Sequence, residues 1–374
     1  MRREYWLSPD LLESKVVVNN IGSNLVSVEP NIFHPNEGGQ PCDLGKIGNA
    51  KVISVDMREG SIVIELDEKL SDGKYTARVD KKNRLFTSRH HTAQHIISGI
   101  AESLFNLKTM GVHIGEHSTI DFDKEIDSET LESLELYSNR VVMDDIPVLS
   151  TFGSAPSRFD ERINHIDSED IRVVSIGDID NSACCGAHVL STGNVGYIRI
   201  VSNERKRGGS RIEFLAGEEA VLFSRNETNV LAEIRTLSSC SNDELVNKFS
   251  NLLESNKKLQ QDINHIWSRN LSNIAENCGV LDINGNKVGL IIEIVPKKIQ
   301  GKLMSVLLGA NDAGIIISDR SISIYSDRLS SRDLLDTIIG KVGGKGGGND
   351  RIAKGYLSAS VSENDIKRSL SINE

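Results

Sequence analysis

His91 and His95 stand four residues apart in the stretch Arg89-His90-His91-Thr92-Ala93-Gln94-His95. On a helix that spacing places two imidazoles on one face, one turn apart, where both reach a single metal ion. Cys184 and His188 form a second pair with the same spacing, in Cys184-Cys185-Gly186-Ala187-His188. Either pair alone arises by chance among core and surface side chains. Together they predict zinc, because thiolate and imidazole are borderline-soft donors and the four complete a tetrahedral set. Cys185 is an alternative thiolate, although the Cys-x-x-x-His spacing favours Cys184. Four protein ligands usually mark a structural site, whereas catalytic zinc commonly keeps three plus water, and spacing leaves this open. Where a position opens, zinc lowers the pKa of water towards about 7 and polarises an ester carbonyl. A nucleophilic-cysteine enzyme is the weaker alternative, since it leaves the other histidines unexplained. His90 reads as a surface residue or a support behind the site, and His113 and His117 as pocket candidates.

The elements that must position these residues are legible from periodicity and punctuation. Thr87 or Ser88 is a capping candidate ahead of apolar Ile96, Ile97 and Ile100, which predicts a helix running to about Phe105. Before it, residues 15–18, 24–28, 51–55 and 61–66 are β-rich, with turn signals at Asn19-Asn20, Glu59-Gly60 and Ser71-Asp72-Gly73. A small β-barrel over residues 1–83 is the simplest architecture. Residues 84–220 read as mixed α+β. Strands are expected at 118–122, 147–149, 171–176, 195–201 and 210–215, and a helix at 128–143. Residues 221–278 read as a helical hairpin, broken at 236–243. Leu245, Phe249, Leu252, Asn256, Leu259, Ile263 and Ile266 repeat at alternating steps of four and three, the seam of a coiled coil with one polar place. This seam closes either within the chain or against a second copy. Residues 279–374 read as a small α/β domain, and the class as a whole is α+β. The run Gly343-Gly344-Lys345-Gly346-Gly347-Gly348 lacks the Ser or Thr that a P-loop needs after its lysine. It reads instead as a place of close backbone approach to phosphate or another chain.

The chain of 374 residues carries a net charge of −10, which argues against indiscriminate nucleic-acid binding but leaves room for a local basic face. Two stretches qualify: Arg78 to Arg89, and Arg205-Lys206-Arg207 with Arg211. Composition alone favours solvated loops for both. Five cysteines, Cys42, Cys184, Cys185, Cys240 and Cys278, make no disulfide framework, and a reducing cytoplasm fits. No apolar run reaches the roughly 20 residues of a membrane span. The first residues lack the apolar segment of a secretory signal.

Four stretches carry a family resemblance. Phe33-His34-Pro35-Asn36-Glu37-Gly38-Gly39-Gln40-Pro41-Cys42-Asp43-Leu44-Gly45 resembles a Phe-Tyr-Pro-x-Gly-Gly-Gly-Gln-Pro-x-Asp-x-Gly segment, and His91 to His95 a His-x-x-x-His. Cys184 to His188 resembles Cys-Gly-Gly-Thr-His, and Arg207 to Gly217 resembles Arg-Gly-x-Arg-Arg-Ile-Glu-Phe-x-x-Gly. The family is the AlaX alanyl-tRNA editing proteins, relatives of the editing domain of alanyl-tRNA synthetase. The C-terminal glycine run, with Asp350, Ala353 and Gly355, resembles the DHHA1 domain of its long members. The resemblance implies a zinc-dependent deacylase acting in trans on tRNA(Ala) mischarged with serine, with glycine as a second candidate. His91, His95, Cys184 and His188 would hold zinc. Gly38, Gly39 and Gln40 would line the pocket near the terminal adenosine, and Thr109 is the nearest candidate for recognising the serine hydroxyl. Arg205, Lys206, Arg207 and Arg211 would meet phosphates of the acceptor end. The 279–374 region would hold the tRNA body or a second subunit. No ATP-dependent activation domain is recognisable, so a synthetase is not expected. Glu37, Cys185 and Ala187 depart from the family's glycine, glycine and threonine. The alternative is a non-catalytic tRNA-binding protein with a structural zinc.

Overall fold

The structure, a computed structural model, describes residues 3–152, 171–206 and 208–370. The chain divides into two units, Met1–Glu233 and Ile234–Glu374.

In the first unit a short helix, α1 (Glu4–Leu7), precedes six strands: β1 (Glu13–Gly22), β2 (Leu25–Glu29), β3 (Gly45–Ile47), β4 (Ala50–Arg58), β5 (Ser61–Leu66) and β6 (Gly73–Val79). They close into an antiparallel barrel in the order β1-β2-β5-β4-β3-β6. Alternation does the sorting: Val16 and Val18 point into the barrel core while Val17 between them is exposed. The β3 and β6 strands, which close the barrel, carry too few β-branched residues to stand out in the sequence.

Helix α2 (Lys81–Phe105) leaves the barrel directly, and it starts earlier than a cap at Thr87 or Ser88 would place it. Its N-cap is Asp80, whose side chain accepts from the Asn83 amide at 3.0 Å. Thr87 instead donates from within the helix to the carbonyls of Asn83 and Arg84. The basic stretch around it is therefore no solvated loop. Arg84 is buried against Asp43, its Nε 2.9 Å from Oδ1, and also donates to the Ile32 carbonyl. Arg78 pairs with Glu13, and Arg89 donates to the Asn194 carbonyl.

The rest of the unit comprises β7 (Thr109–His113), β8 (Ser118–Phe122), α3 (Ser128–Met143), β9 (Val148–Phe152), β10 (Arg172–Ile176), β11 (Asp180–Ala183), β12 (Ile198–Lys206) and β13 (Gly209–Ala216). These strands form two sheets, β12-β13-β8-β7 and β11-β10-β9. One side of α2, with Ile96, Ile97 and Ile100, packs into the core with Ile120, Phe122, Leu134, Ile212 and Phe214. Each such fully buried side chain contributes about 1.5–3 kcal/mol. His90 lies on the core side and is fully buried rather than at the surface. Its Nε2 accepts from the Ala216 amide at 3.1 Å and its Nδ1 donates to the Phe86 carbonyl at 2.9 Å, tying α2 to β13. Burial pulls its pKa down, which suits the neutral tautomer these bonds require.

Helices α4 (Glu218–Ser238), α5 (Asn242–Arg269) and α6 (Leu271–Glu276) follow. The break between the first two falls within residues 236–243, as the sequence predicts, and α5 opens with a capping box of Ser241 and Glu244. On α5, Phe249, Leu252, Leu259, Ile263 and Ile266 are all exposed. The second unit ends in a six-stranded sheet built from β14 (Gly279–Ile283), β15 (Asn286–Ile292), β16 (Ala313–Ser318), β17 (Ser321–Ser326), β18 (Gly344–Gly348) and β19 (Ile352–Leu357). The order is β14-β15-β16-β17-β19-β18, and only β15 and β16 pair in parallel. Helices α7 (Lys297–Ala310) and α8 (Ser331–Val342) bury apolar faces in two separate clusters, the second shared with α9 (Glu363–Ser369). The glycine run is the edge strand β18, paired with β19 in the register Gly346↔Gly355. Pairing with β19 uses alternate backbone groups of the run and leaves the others at the sheet edge. No helix among the described residues is long and apolar enough to cross a membrane.

Candidate metal centre

Helix α2 presents His91 and His95 on the side that faces the β11-β10-β9 sheet, away from its isoleucines. Gly99 sits one turn beyond His95, and a Cβ there would lie 2.4 Å from the Ile179 carbonyl oxygen. Only glycine lets the β10–β11 turn press so closely on the helix. That approach delivers Asp180, whose Oδ2 lies 2.7 Å from His95 Nδ1. After β11 the chain turns back across α2, which brings Cys184 and His188 over the two histidines.

The ligand atoms of His91, His95, Cys184 and His188 all lie within 4.8 Å of one another. Cys184 Sγ is 3.4 Å from His91 Nε2 and 3.2 Å from His188 Nε2. Zinc bonds of about 2.0–2.3 Å in a tetrahedron require edges of about 3.6 Å, so these separations fit one ion. Each imidazole is held from behind through Nδ1, leaving Nε2 to face the centre. His91 Nδ1 is 2.6 Å from Gln40 Oε1, His95 is on Asp180, and His188 Nδ1 is 3.1 Å from Thr92 Oγ1. Outer partners of this kind fix tautomer and ring orientation in metal sites. The donor set and its orientation thus fit a metal ion.

Burial would push the Cys184 thiol up, but His91, His188 and His95 together hold it well below the ordinary thiol range, so it is a thiolate. Burial would likewise pull His95 down, yet Asp180 and the Cys184 thiolate push it up to about 10. Burial takes His188 down to about 3, outweighing the thiolate, so that ring is neutral. Cys185 is not one of the four: burial and the Cys184 thiolate raise it to about 11, and its Sγ lies where a Cβ on Gly38 would come within 3.0 Å. Arg172 is buried, its hydrogen-bond partners among the described residues include no carboxylate, and its Nη1 donates to the carbonyls of Gly186 at 2.6 Å and Cys184 at 3.2 Å. It clamps the turn that carries both ligands.

The residues expected to line a pocket are placed as follows. Gln40 is buried, and its Oε1 takes both the His91 ring and the Ala187 amide at 3.0 Å, joining the barrel loop to the metal turn. The Gly39 carbonyl accepts from the Ile114 amide at 2.8 Å, and Gly38 packs on Cys185. Thr109 is bound through Oγ1 to Ser98 Oγ at 2.8 Å, which also accepts from Gln94. Ala187 is fully buried. His117 is exposed and paired with Glu213, which raises its pKa, and His113 is exposed as well. On the β12–β13 hairpin, Arg211 makes a two-pronged bond to Asp121 at 2.5 and 2.6 Å, and Arg205 pairs with Glu125. Lys206 is exposed beside them, and Arg207 lies outside the described residues. Asp180, Thr92 and Arg172 are not identifiable as site residues from the sequence. Only Thr92 carries a signal there, being next to a ligand on the same helix.

The crossing turn that carries Cys184 and His188 lies in a stretch similar to a tRNA synthetase accessory domain. Residues 171–213, which include Cys184, His188 and Arg172, match the family described as the threonyl and alanyl tRNA synthetase second additional domain. Alanine--tRNA ligases from Methanococcus aeolicus and Methanosarcina barkeri are 29% and 30% identical over 96% and 95% of this chain. The chain spans only 41% and 42% of their lengths. The alanyl-tRNA editing protein AlaX-L of Pyrococcus horikoshii is 26% identical over 97% of this chain and 96% of its own. The chain is a homologue of the AlaX-type alanyl-tRNA editing proteins.

Proposed function

We propose that this protein is a zinc-dependent deacylase that hydrolyses the ester of mischarged tRNA(Ala), seryl first and glycyl as a second substrate, in the cytoplasm. The observation that carries the reading is the convergence of His91, His95, Cys184 and His188 within 4.8 Å in a chain similar to AlaX-L along nearly all of both lengths. Zinc held by these four residues would supply a Lewis acid able to polarise an ester carbonyl or lower the pKa of a water. The remaining work falls to the chain's own groups. Gln40, Asp180 and Thr92 hold the three imidazoles in one tautomer, and Arg172 holds the backbone of the 184–186 turn. Gly38 and Gly39 bring backbone beside the centre, where the terminal adenosine would lie. Arg205, Lys206 and Arg211 would exchange their carboxylate neighbours for acceptor-end phosphates. The 279–374 region would be a DHHA1-like domain that holds the tRNA body or a second subunit. A second copy of the chain would cover the exposed seam of α5.

The test is incubation of the zinc-loaded protein with Ser-tRNA(Ala), Gly-tRNA(Ala) and Ala-tRNA(Ala). Hydrolysis of the seryl ester with the alanyl ester spared is expected. A zinc-loaded protein that binds tRNA(Ala) and leaves the seryl ester at background favours the alternative, a tRNA-binding protein with a structural zinc, because four closing ligands suit that role too. His95→Ala and Cys184→Ala should each lower zinc content; full retention in both overturns the ligand assignment.

A further inference from the structure

The loop that carries Gln40 and the turn that carries Cys184 reach the metal centre from different parts of the fold. Both are also held from outside by the short segment at the start of the described chain. Trp6 donates from its indole N–H to the Cys185 carbonyl at 2.9 Å. Two guanidinium groups lie over the indole, Arg3 at 4.5 Å from the ring centroid and Arg172 at 5.6 Å. Arg3 and Tyr5 take the other side. Arg3 forms an ion pair with Glu37 and donates to the Tyr5 hydroxyl at 2.7 Å, and that hydroxyl lies 3.4 Å from Glu37. The pair is well shielded, with Arg3 13% and Glu37 18% exposed, so it is worth more than a surface ion pair. Tyr5 is fully buried, edge-on to His34 at 5.2 Å and under Arg84 at 5.6 Å, which fixes the segment on the barrel.

Glu37 is one of the places where the chain departs from the pattern it resembles, and it is the residue this segment grips. Between the two grips lie Gly38 and Cys185, in contact across the seam. We propose that the segment 3–6 is a positioning strap. Arg3 and Tyr5 hold the Gln40 loop through Glu37, Trp6 holds the ligand turn through the Cys185 carbonyl, and the strap keeps the two in register around His91. Trp6, Arg3 and Glu37 are positioning residues and touch no reacting atom. The inference rests on the four-ligand metal reading, and the experiment separates the two.

The experiment is equilibrium titration and stopped-flow release of Co2+, with the thiolate-to-cobalt absorption as a signature of ligand geometry. Trp6→Phe keeps the ring and removes the N–H donor. Glu37→Gln keeps the size and removes the charge. Each variant should bind Co2+ about three- to tenfold more weakly and release it correspondingly faster, less than the about 10–100-fold of a residue that touches a ligand. The absorption band should shift in both. The double variant should be no worse than about the weaker single, because either change releases the same strap. Failure of the wild-type chain to bind Co2+ sinks the metal reading itself. Wild-type binding with both variants within twofold and unshifted, or a fully additive double variant, overturns the strap alone. A Trp6→Phe chain that does not fold leaves Glu37→Gln to decide it.

Discussion

Gly186 is the residue whose substitution reads most directly on the metal centre. A Cβ placed there would lie 2.1 Å from both Cε1 and Nδ1 of His91 and 2.7 Å from Gln40 Oε1. Non-bonded carbons settle about 3.5–4.0 Å apart, so in Gly186→Ala the His91 ring must retreat by more than about 1 Å. The 2.6 Å bond to Gln40 breaks with that movement, and Nε2 leaves the position 3.4 Å from Cys184 Sγ. The backbone cannot yield instead, because the Gly186 carbonyl is held by Arg172 and the next amide by Gln40. Loss of one outer partner costs about 10–100-fold in metal affinity, and here a ligand moves as well, so at least about 100-fold, or about 2.7 kcal/mol, is expected. The assay is competitive zinc titration against a chromophoric chelator, with far-ultraviolet circular dichroism confirming the fold. Gly186→Ala protein that is folded and binds zinc within threefold of wild type would refute the packing argument. It would also show that His91 is not pinned between the turn and the barrel loop.

Gln40→Leu should lower zinc affinity about 10–100-fold by freeing the His91 ring, measured by the same titration. Metal uptake should release a proton at neutral pH, because His95 holds one up to about pH 10 in the metal-free chain. Apparent affinity therefore rises with pH towards that value, and calorimetry in buffers of different ionisation enthalpy should count the proton; a flat profile between pH 6 and 8 would contradict it. Asp43→Asn leaves the Arg84 guanidinium buried without its charge partner and should cost about 3–5 kcal/mol in urea unfolding followed through Trp6, with Trp267 replaced by Phe; a cost below about 1 kcal/mol would mean the pair is not structural. Leu252→Asp with Leu259→Asp should convert a dimer to a monomer in light scattering, and a monomeric wild type would remove the α5 seam as an interface.

The four candidate ligands are legible in the sequence alone, because paired spacing on a helix and a turn is a local property. Element positions in the first unit are legible for the same reason: Ser118–Phe122 and Ser128–Met143 declare themselves through alternation and capping. Strands β3, β6, β7 and β11 do not, since short strands with polar or glycine residues are specified by their partners rather than by their own sequence. Four decisions belong to tertiary structure alone. It chooses which atoms orient the ligands, and Asp180 becomes one of them only because Gly99 admits the β10–β11 turn. It sets Gln40 Oε1 behind His91, and makes the C-terminal glycine run an edge strand. It also gives Glu37 a partner in Arg3. Residue types and spacing fix which chemistry is available, because ligand identity is carried by single side chains. Orientation, protonation and support depend on neighbours distant in sequence, and those contacts exist only once the chain has closed.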